Sequence, residues 1–370
     1  MREDAPYRLA NENDIASPAL IYYPDIIREN TRLAIDMAGG PARLWPHVKT
    51  HKMAELIDMQ MEMGIRRFKC ATISEMNLTC SRGAEHVLLT YPLLGPNVGK
   101  FLDTAAKYPN TTCYALGDSF EALALLDEAC AKRGATTRWL CDVNLGMDRT
   151  GVPLDGLADF CREAAARFSR LRFSGLHCYD GQNHQSDLRE RQAAVSGQMS
   201  RVASARAALT AAGIETPIVI AGGSPTFPCH AAESGVFLSP GTVFVWDWGY
   251  ETNYSDLPFR PGAALLTRVV SHPAPGVFTL DLGYKAIAAD PAGQRGRLLD
   301  GKGAYPLFQS EEHWTWRMPE GHEDERPAIG AVMYVIPTHI CPTTALHRAA
   351  KLGVDGRAAG EWVVAARNRD

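Results

Sequence analysis

The feature that most limits how this chain can fold is a series of eight short apolar runs, separated by segments with helical spacing. The runs begin near Ala19 (ALIYY), Leu44 (LWPHVK), Arg67 (RFKCAT), His86 (HVLLTYP), Thr111 (TTCYAL), Thr137 (TRWLCDVN), Arg172 (RFSGLHCYD) and Pro217 (PIVIAGG). Short runs that stay apolar without alternating read as strands buried on both faces, the mark of a parallel sheet. The intervening segments read as helices; SFEALALLDEACAKRG has a Ser cap, leucines at i, i+3 and i+4 spacing, and a terminal Gly. Eight such units over roughly 230 residues predict an α/β fold, a closed (β/α)8 TIM-like barrel ahead of an open doubly wound sheet.

After about residue 255 the rhythm changes. ALLTRVVSHPAPGVFTLDLGY, AVMYVIPTHICP and GEWVVAARN follow one another with no long helical pattern between them. We therefore expect a barrel over 18–255 and a C-terminal β domain over 256–370, joined by residues 1–17 as an added strand. A length of 370 residues suits one large domain and one smaller one. A net charge of -4 offers no general field for nucleic acid or an anionic membrane. No apolar run approaches the ~20 residues that span a bilayer, and the polar opening MREDAPYRLANENDIASP does not read as a secretory signal. Nine cysteines without a CxxC pair read mostly as small buried hydrophobes of a reducing, cytoplasmic protein.

A barrel of this kind places its chemistry at the C-terminal ends of the strands. The second run ends in WPHVKTHK, where strand alternation sends His47 and Lys49 to one face. If that face is the barrel interior, burial favours the neutral amine of Lys49, the form that makes a Schiff base with a carbonyl cofactor. The plainer alternative is an exposed loop cation. The sixth run ends near Arg149 and the seventh at Tyr179, while AGGSPT and SPGTVF supply turns able to cradle a phosphate or simply to reverse the chain. A reactive lysine beside a phosphate cradle outlines a pyridoxal 5'-phosphate site.

The runs PHVKTHK, FKCATISEM, LLTYPLLGP, HCYDGQNHQ, AGGSPTF and HICPT, in this order along nearly the whole chain, resemble the D-threonine aldolase and D-serine dehydratase group. These are fold-type III pyridoxal-phosphate enzymes with an alanine-racemase-like barrel and a β domain. The resemblance implies that Lys49 holds the cofactor, with His47, Arg149 and Tyr179 near the ring and Gly222, Gly223, Ser224, Gly241 and Thr242 around the phosphate. Lys52 is then a solvated cation. The resemblance also implies a homodimer acting on a small β-hydroxy-D-amino acid.

HICPT places His339 and Cys341 two residues apart on a strand-like run, facing the same way. By spacing alone this pair defines no metal site. By resemblance it binds one divalent metal (Mn, Mg or Zn), although many aldolases of the group have aspartate where this chain has Cys341. A thiolate favours zinc, which is more characteristic of the dehydratase branch. His177 reads equally as a satisfied barrel histidine, His184 as a proton carrier near the substrate hydroxyl, and His313 and His322 as surface residues. The implied activity is a lyase that cleaves β-hydroxy-D-amino acids to glycine and an aldehyde, with Lys49, Tyr179 and His184 as its catalytic candidates. The rivals are a D-serine or 3-hydroxy-D-aspartate dehydratase, an amino-acid racemase, and a non-catalytic cofactor-binding protein of barrel alone.

Overall fold

The apolar runs pair in parallel because the helices between them return the chain, covering the outer face while side chains of the runs fill the inner one. In the computed structural model, which describes residues 5–369, one hydrogen-bonded order links seven strands. They are Arg67–Cys70, His86–Leu89, Thr112–Gly117, Thr137–Asn144, Leu171–Cys178, Ile218–Ala221 and Phe237–Leu238. Residues 44–47 bridge the two edges of this order, Leu44 to Leu238 and His47 to Lys69, both in parallel sense. Backbone bonds from Trp45 N to Leu238 O (2.8 Å) and from Lys69 N to Pro46 O (2.8 Å) complete the ring. The barrel thus has eight staves.

Their identities differ from the sequence reading in two places. Ala19–Tyr22 is not a barrel strand; it pairs antiparallel with Ala263–Leu266 and parallel with Lys351–Leu352 in a separate sheet. A four-residue apolar run followed by a helix looks alike in either setting, so periodicity could not separate them. The missing barrel stave is Phe237–Leu238, whose two residues are too few to carry a pattern.

Inside the barrel, Trp45, Leu88, Tyr114, Leu116, Leu140 and Ile220 form one buried cluster. Two residues further along the same inward faces come Asp142 and, opposite it, His177. A bulge sets that register: Phe173 faces Trp139, but Gly175 rather than Ser174 faces Leu140. Gly175 has φ +139°, and a Cβ there would lie 1.8 Å from Ile218 O. Only glycine fits.

One compact unit comprises mainly Ala34–Lys49 and Ala54–Gly241; the other takes in the chain up to Leu33, Thr50–Met53 and Thr242–Arg367. Residues 1–4 and 370, parts of the expected N-terminal addition and β domain, lie outside the described residues. The second unit holds an antiparallel-rich sheet in the order Tyr305–Gln309, Trp314–Arg317, Val277–Leu280, Ala263–Ala274, Ala19–Tyr22, Ala349–Val354, Arg357–Val363. Val332–Pro337 pairs with Ala263–Ala274 and with Gly296–Leu298. No helix of the described residues is long and apolar enough to cross a membrane. Seven of the nine cysteines are buried.

Candidate active site

The stave ending at His47 turns into a short 3-10 helix, Val48–Thr50, rather than continuing as a strand. His47 is buried and its Nδ1 accepts a hydrogen bond from Lys49 N at 3.3 Å, which folds the chain back at this point. Lys49 Nζ stands 5.9 Å from the centroid of the Tyr179 ring. Arg149 Cζ stands 5.1 Å from the same centroid and Lys69 Nζ 5.5 Å. The ring is itself fixed by close backbone: a Cβ on Gly181 would fall 2.5 Å from it, and one on Gly223 3.2 Å. Thus Lys49, Arg149 and Tyr179, picked out from separate strand ends, come together.

Lys69 was not singled out from the sequence. Its strand pairs Lys69 with Leu88, so the side chain points into the barrel, where it is 2% exposed. Its Nζ donates to Ser239 Oγ at 2.8 Å and meets His177 Nε2 at 3.4 Å. His177 Nδ1 is bound to Asp142 Oδ1 at 2.7 Å, and Thr150 Oγ1 donates to Asp142 Oδ2 at 2.8 Å. Burial, with the Lys49 charge adding to it and Asp142 and Asp180 opposing, brings the Lys69 amine down to about 7. Burial and then the Lys69 charge lower His177. Burial alone would raise Asp142, but the hydrogen bond from His177 holds its carboxyl below the ordinary range. The signal was present in RFKCAT, since a lysine in the middle of a strand covered on both faces has no route to water.

The turn after Ile218–Ala221 is built by its own hydroxyls. Thr226 Oγ1 accepts from Gly223 N at 3.0 Å, and Ser224 Oγ accepts from Gly241 N at 3.3 Å. Beneath it Asp180, fully buried, accepts from Thr226 Oγ1 at 2.8 Å and binds His230 Nε2 at 2.8 Å. Gly222 takes φ +84° at the start of this turn. Pyridoxal phosphate fits these residues. Lys49, Lys69 and Arg149 form no ion pair with a carboxylate among the described residues, and they stand in the same barrel as this glycine turn, a combination suited to a dianion. His184 is not drawn into this cluster; it is solvent-exposed in the loop after Cys178.

In the other unit, His339 and Cys341 are not on a strand. The strand stops at Pro337, His339 is the N-cap of the helix Ile340–Leu346, and Cys341 lies in its first turn. The imidazole nonetheless contacts Cys341, and that contact with the one to Asp290 pushes it up to about 9 against the effect of burial. Asp290 Oδ2 binds His339 Nδ1 at 2.5 Å, a carboxylate that fixes the ring and frees Nε2 to act as a ligand. Cys341 Sγ lies 3.3 Å from Thr50 Oγ1 and 3.5 Å from Thr242 Oγ1, so Thr242 faces the thiol. Among the described residues no three His, Cys, Asp or Glu side chains form a metal-holding group. The pair fits an ion that takes its remaining ligands from water or substrate, because an ion can replace the proton shared by imidazole and thiol. His313 and His322 are exposed, as expected.

The comparisons with known proteins agree with this architecture. Residues 24–245 match the alanine racemase N-terminal domain and residues 262–352 a putative serine dehydratase domain. A D-threonine aldolase of Arthrobacter sp is 29% identical over 332 residues, covering 88% of this chain and 85% of that protein. A D-threo-3-hydroxyaspartate dehydratase of Delftia sp. (strain HT23) is 23% identical over 350 residues, 89% of this chain and 92% of that one. The crystal structure of a D-threonine aldolase from Filomicrobium marinum superposes with a TM-score of 0.87 at 28% identity, covering 98% of this chain and 99% of the other. With the first of these domains spanning more than half of its length, the chain belongs to the alanine racemase N-terminal domain family, in the D-threonine aldolase and D-serine dehydratase group that adds a β domain to the barrel.

Proposed function

We propose that this protein is a pyridoxal-phosphate- and divalent-metal-dependent lyase of the D-threonine aldolase type, cleaving β-hydroxy-D-amino acids to glycine and an aldehyde. The observation that carries the reading is the convergence of Lys49, Lys69 and Arg149 on the Tyr179 ring, none of them ion-paired to a carboxylate among the described residues. The likeness to D-threonine aldolases in sequence and in fold supports the same reading.

When bound, pyridoxal phosphate supplies an aldehyde for an amine to condense with and a ring that withdraws electrons from Cα. Lys49 is the amine we assign to that aldehyde, and Arg149 and Tyr179 confine the ring. Gly222, Gly223, Ser224, Gly241 and Thr242 hold the phosphate, with Asp180 keeping the turn rigid through Thr226 and His230. Lys49 Nζ would deliver a proton to Cα, with Tyr179 Oη as the second candidate for that role. His339 and Cys341 would hold the metal, which supplies positive charge to orient and acidify the β-hydroxyl.

The thiol of Cys341 favours a second reading, a zinc-dependent dehydratase that expels the β-hydroxyl and releases ammonia. Product analysis separates the two. Acetaldehyde and glycine from D-threonine support the aldolase; a 2-oxo acid and ammonia from D-serine or D-threonine, without aldehyde, assign the dehydratase.

A further inference from the structure

Lys69 adds charge to the pocket but has been given no role of its own, and it is the most deeply buried cation of the barrel cluster. An apolar side chain of similar length, such as methionine, would fill the same space without the desolvation that an ammonium suffers there. Its surroundings are built for a charge that comes and goes. Ser239 Oγ, which donates to Gly222 O at 2.9 Å, turns a lone pair toward Nζ. His177 carries its proton on Nδ1, toward Asp142, and so turns the lone pair of Nε2 toward Nζ as well. Two acceptors thus await the ammonium, but no carboxylate among the described residues lies within ion-pair distance to lock it on.

We infer that Lys69 is the titrating charge of the cofactor pocket, a positioning residue that sets, through the field on the Tyr179 side of the site, how strongly the pocket draws in anionic groups. This rests on the assignment of the pocket to pyridoxal phosphate. The charged and titratable groups facing Nζ are Lys49, Arg149, His177, Tyr179, Asp142 and Asp180, with His47 on the neighbouring stave. Asp142 and His177 both titrate below their usual values. Burial brings Lys69 to about 7, so its charge is present at pH 6 and largely gone by pH 8.5.

The test uses the full-length holoenzyme and reads the visible band of the bound cofactor from pH 6 to 9, a measurement that needs no turnover. Wild type should show a transition near neutrality. Lys69→Met should lose it and hold the high-pH spectrum throughout, while Lys69→Arg, whose charge is permanent, should lose it and hold the low-pH spectrum. A purely structural role predicts the same spectrum for both variants and overturns the inference. So does a wild-type transition that survives in Lys69→Met, or a coloured wild type with no transition. If Lys69→Met fails to fold, Lys69→Gln carries the same expectation. A wild type that binds no pyridoxal phosphate at any pH overturns the cofactor assignment itself, and this inference with it.

Discussion

Replacing Asp180 with alanine isolates the contribution of the buried carboxylate that braces the glycine turn. Asp180 is fully buried and accepts two short bonds, from Thr226 Oγ1 and His230 Nε2, each at 2.8 Å. Asn183 Nδ2 adds a weak third at 3.4 Å. Removing the carboxylate strands a hydroxyl and a ring N–H away from water, at a cost of about 1–3 kcal/mol each. Asp180→Ala should therefore destabilise the protein by about 3–5 kcal/mol, the range seen when one partner of a buried pair is deleted. Thr226, freed from Asp180, would no longer hold Gly223 N, so cofactor affinity should fall about tenfold, the equivalent of one lost hydrogen bond. Asp180→Asn provides the control. Its carbonyl can still accept from Thr226, and its amide can donate to His230 Nε2 if the ring proton moves to Nδ1, which has no partner as it stands. The asparagine variant should lose only about 1 kcal/mol. Urea denaturation measures the stabilities and absorbance titration with pyridoxal phosphate the affinities. An Asp180→Ala protein within 1 kcal/mol of wild type would refute the reasoning.

Three further outcomes are expected. His51 is buried with Nδ1 accepting from Met53 N at 3.1 Å, and burial pushes its pKa down from 6.5 to about 3. A depressed folded-state pKa means its contribution is intact above 6.5 and is lost as pH falls toward 3, at roughly 1.4 kcal/mol per pH unit; in acid denaturation His51→Asn should show a shallower loss over that window. Lys49→Ala should abolish the yellow colour and the borohydride-reducible link to the cofactor, and peptide mapping of reduced wild type should place the label on Lys49. Exhaustive chelation should stop turnover while leaving the visible band in place, and His339→Ala should behave like the chelated wild type; full activity after chelation contradicts the metal assignment.

The barrel was legible because parallel strands covered by helices leave runs with no polar alternation, and seven of the eight runs lie where that pattern puts them. Ala19–Tyr22 was misplaced because burial on both faces erases the difference between a barrel strand and a strand of the second sheet. The coming together of Lys49, Arg149 and Tyr179 followed from strand ends alone. The side chains that hold them in place did not. Lys69, Asp180 and Asp290 act through partners distant in sequence, and only the folded register reveals those pairings. His339 and Cys341 are in contact, but at the start of a helix rather than on the expected strand, since Asp247 Oδ2 accepts from Ile340 N at 3.0 Å and ends the strand pattern there.

Aldehyde release from the four stereoisomers of threonine tests the central claim most directly. A bound cofactor ring with Lys49 on one face would allow only one configuration at Cα to align its scissile bond with the ring, whereas a metal with exchangeable water would tolerate either configuration at the β-carbon. The account predicts acetaldehyde and glycine from D-threonine and D-allo-threonine and none from either L isomer. Acetaldehyde from L-threonine at a comparable rate would contradict it.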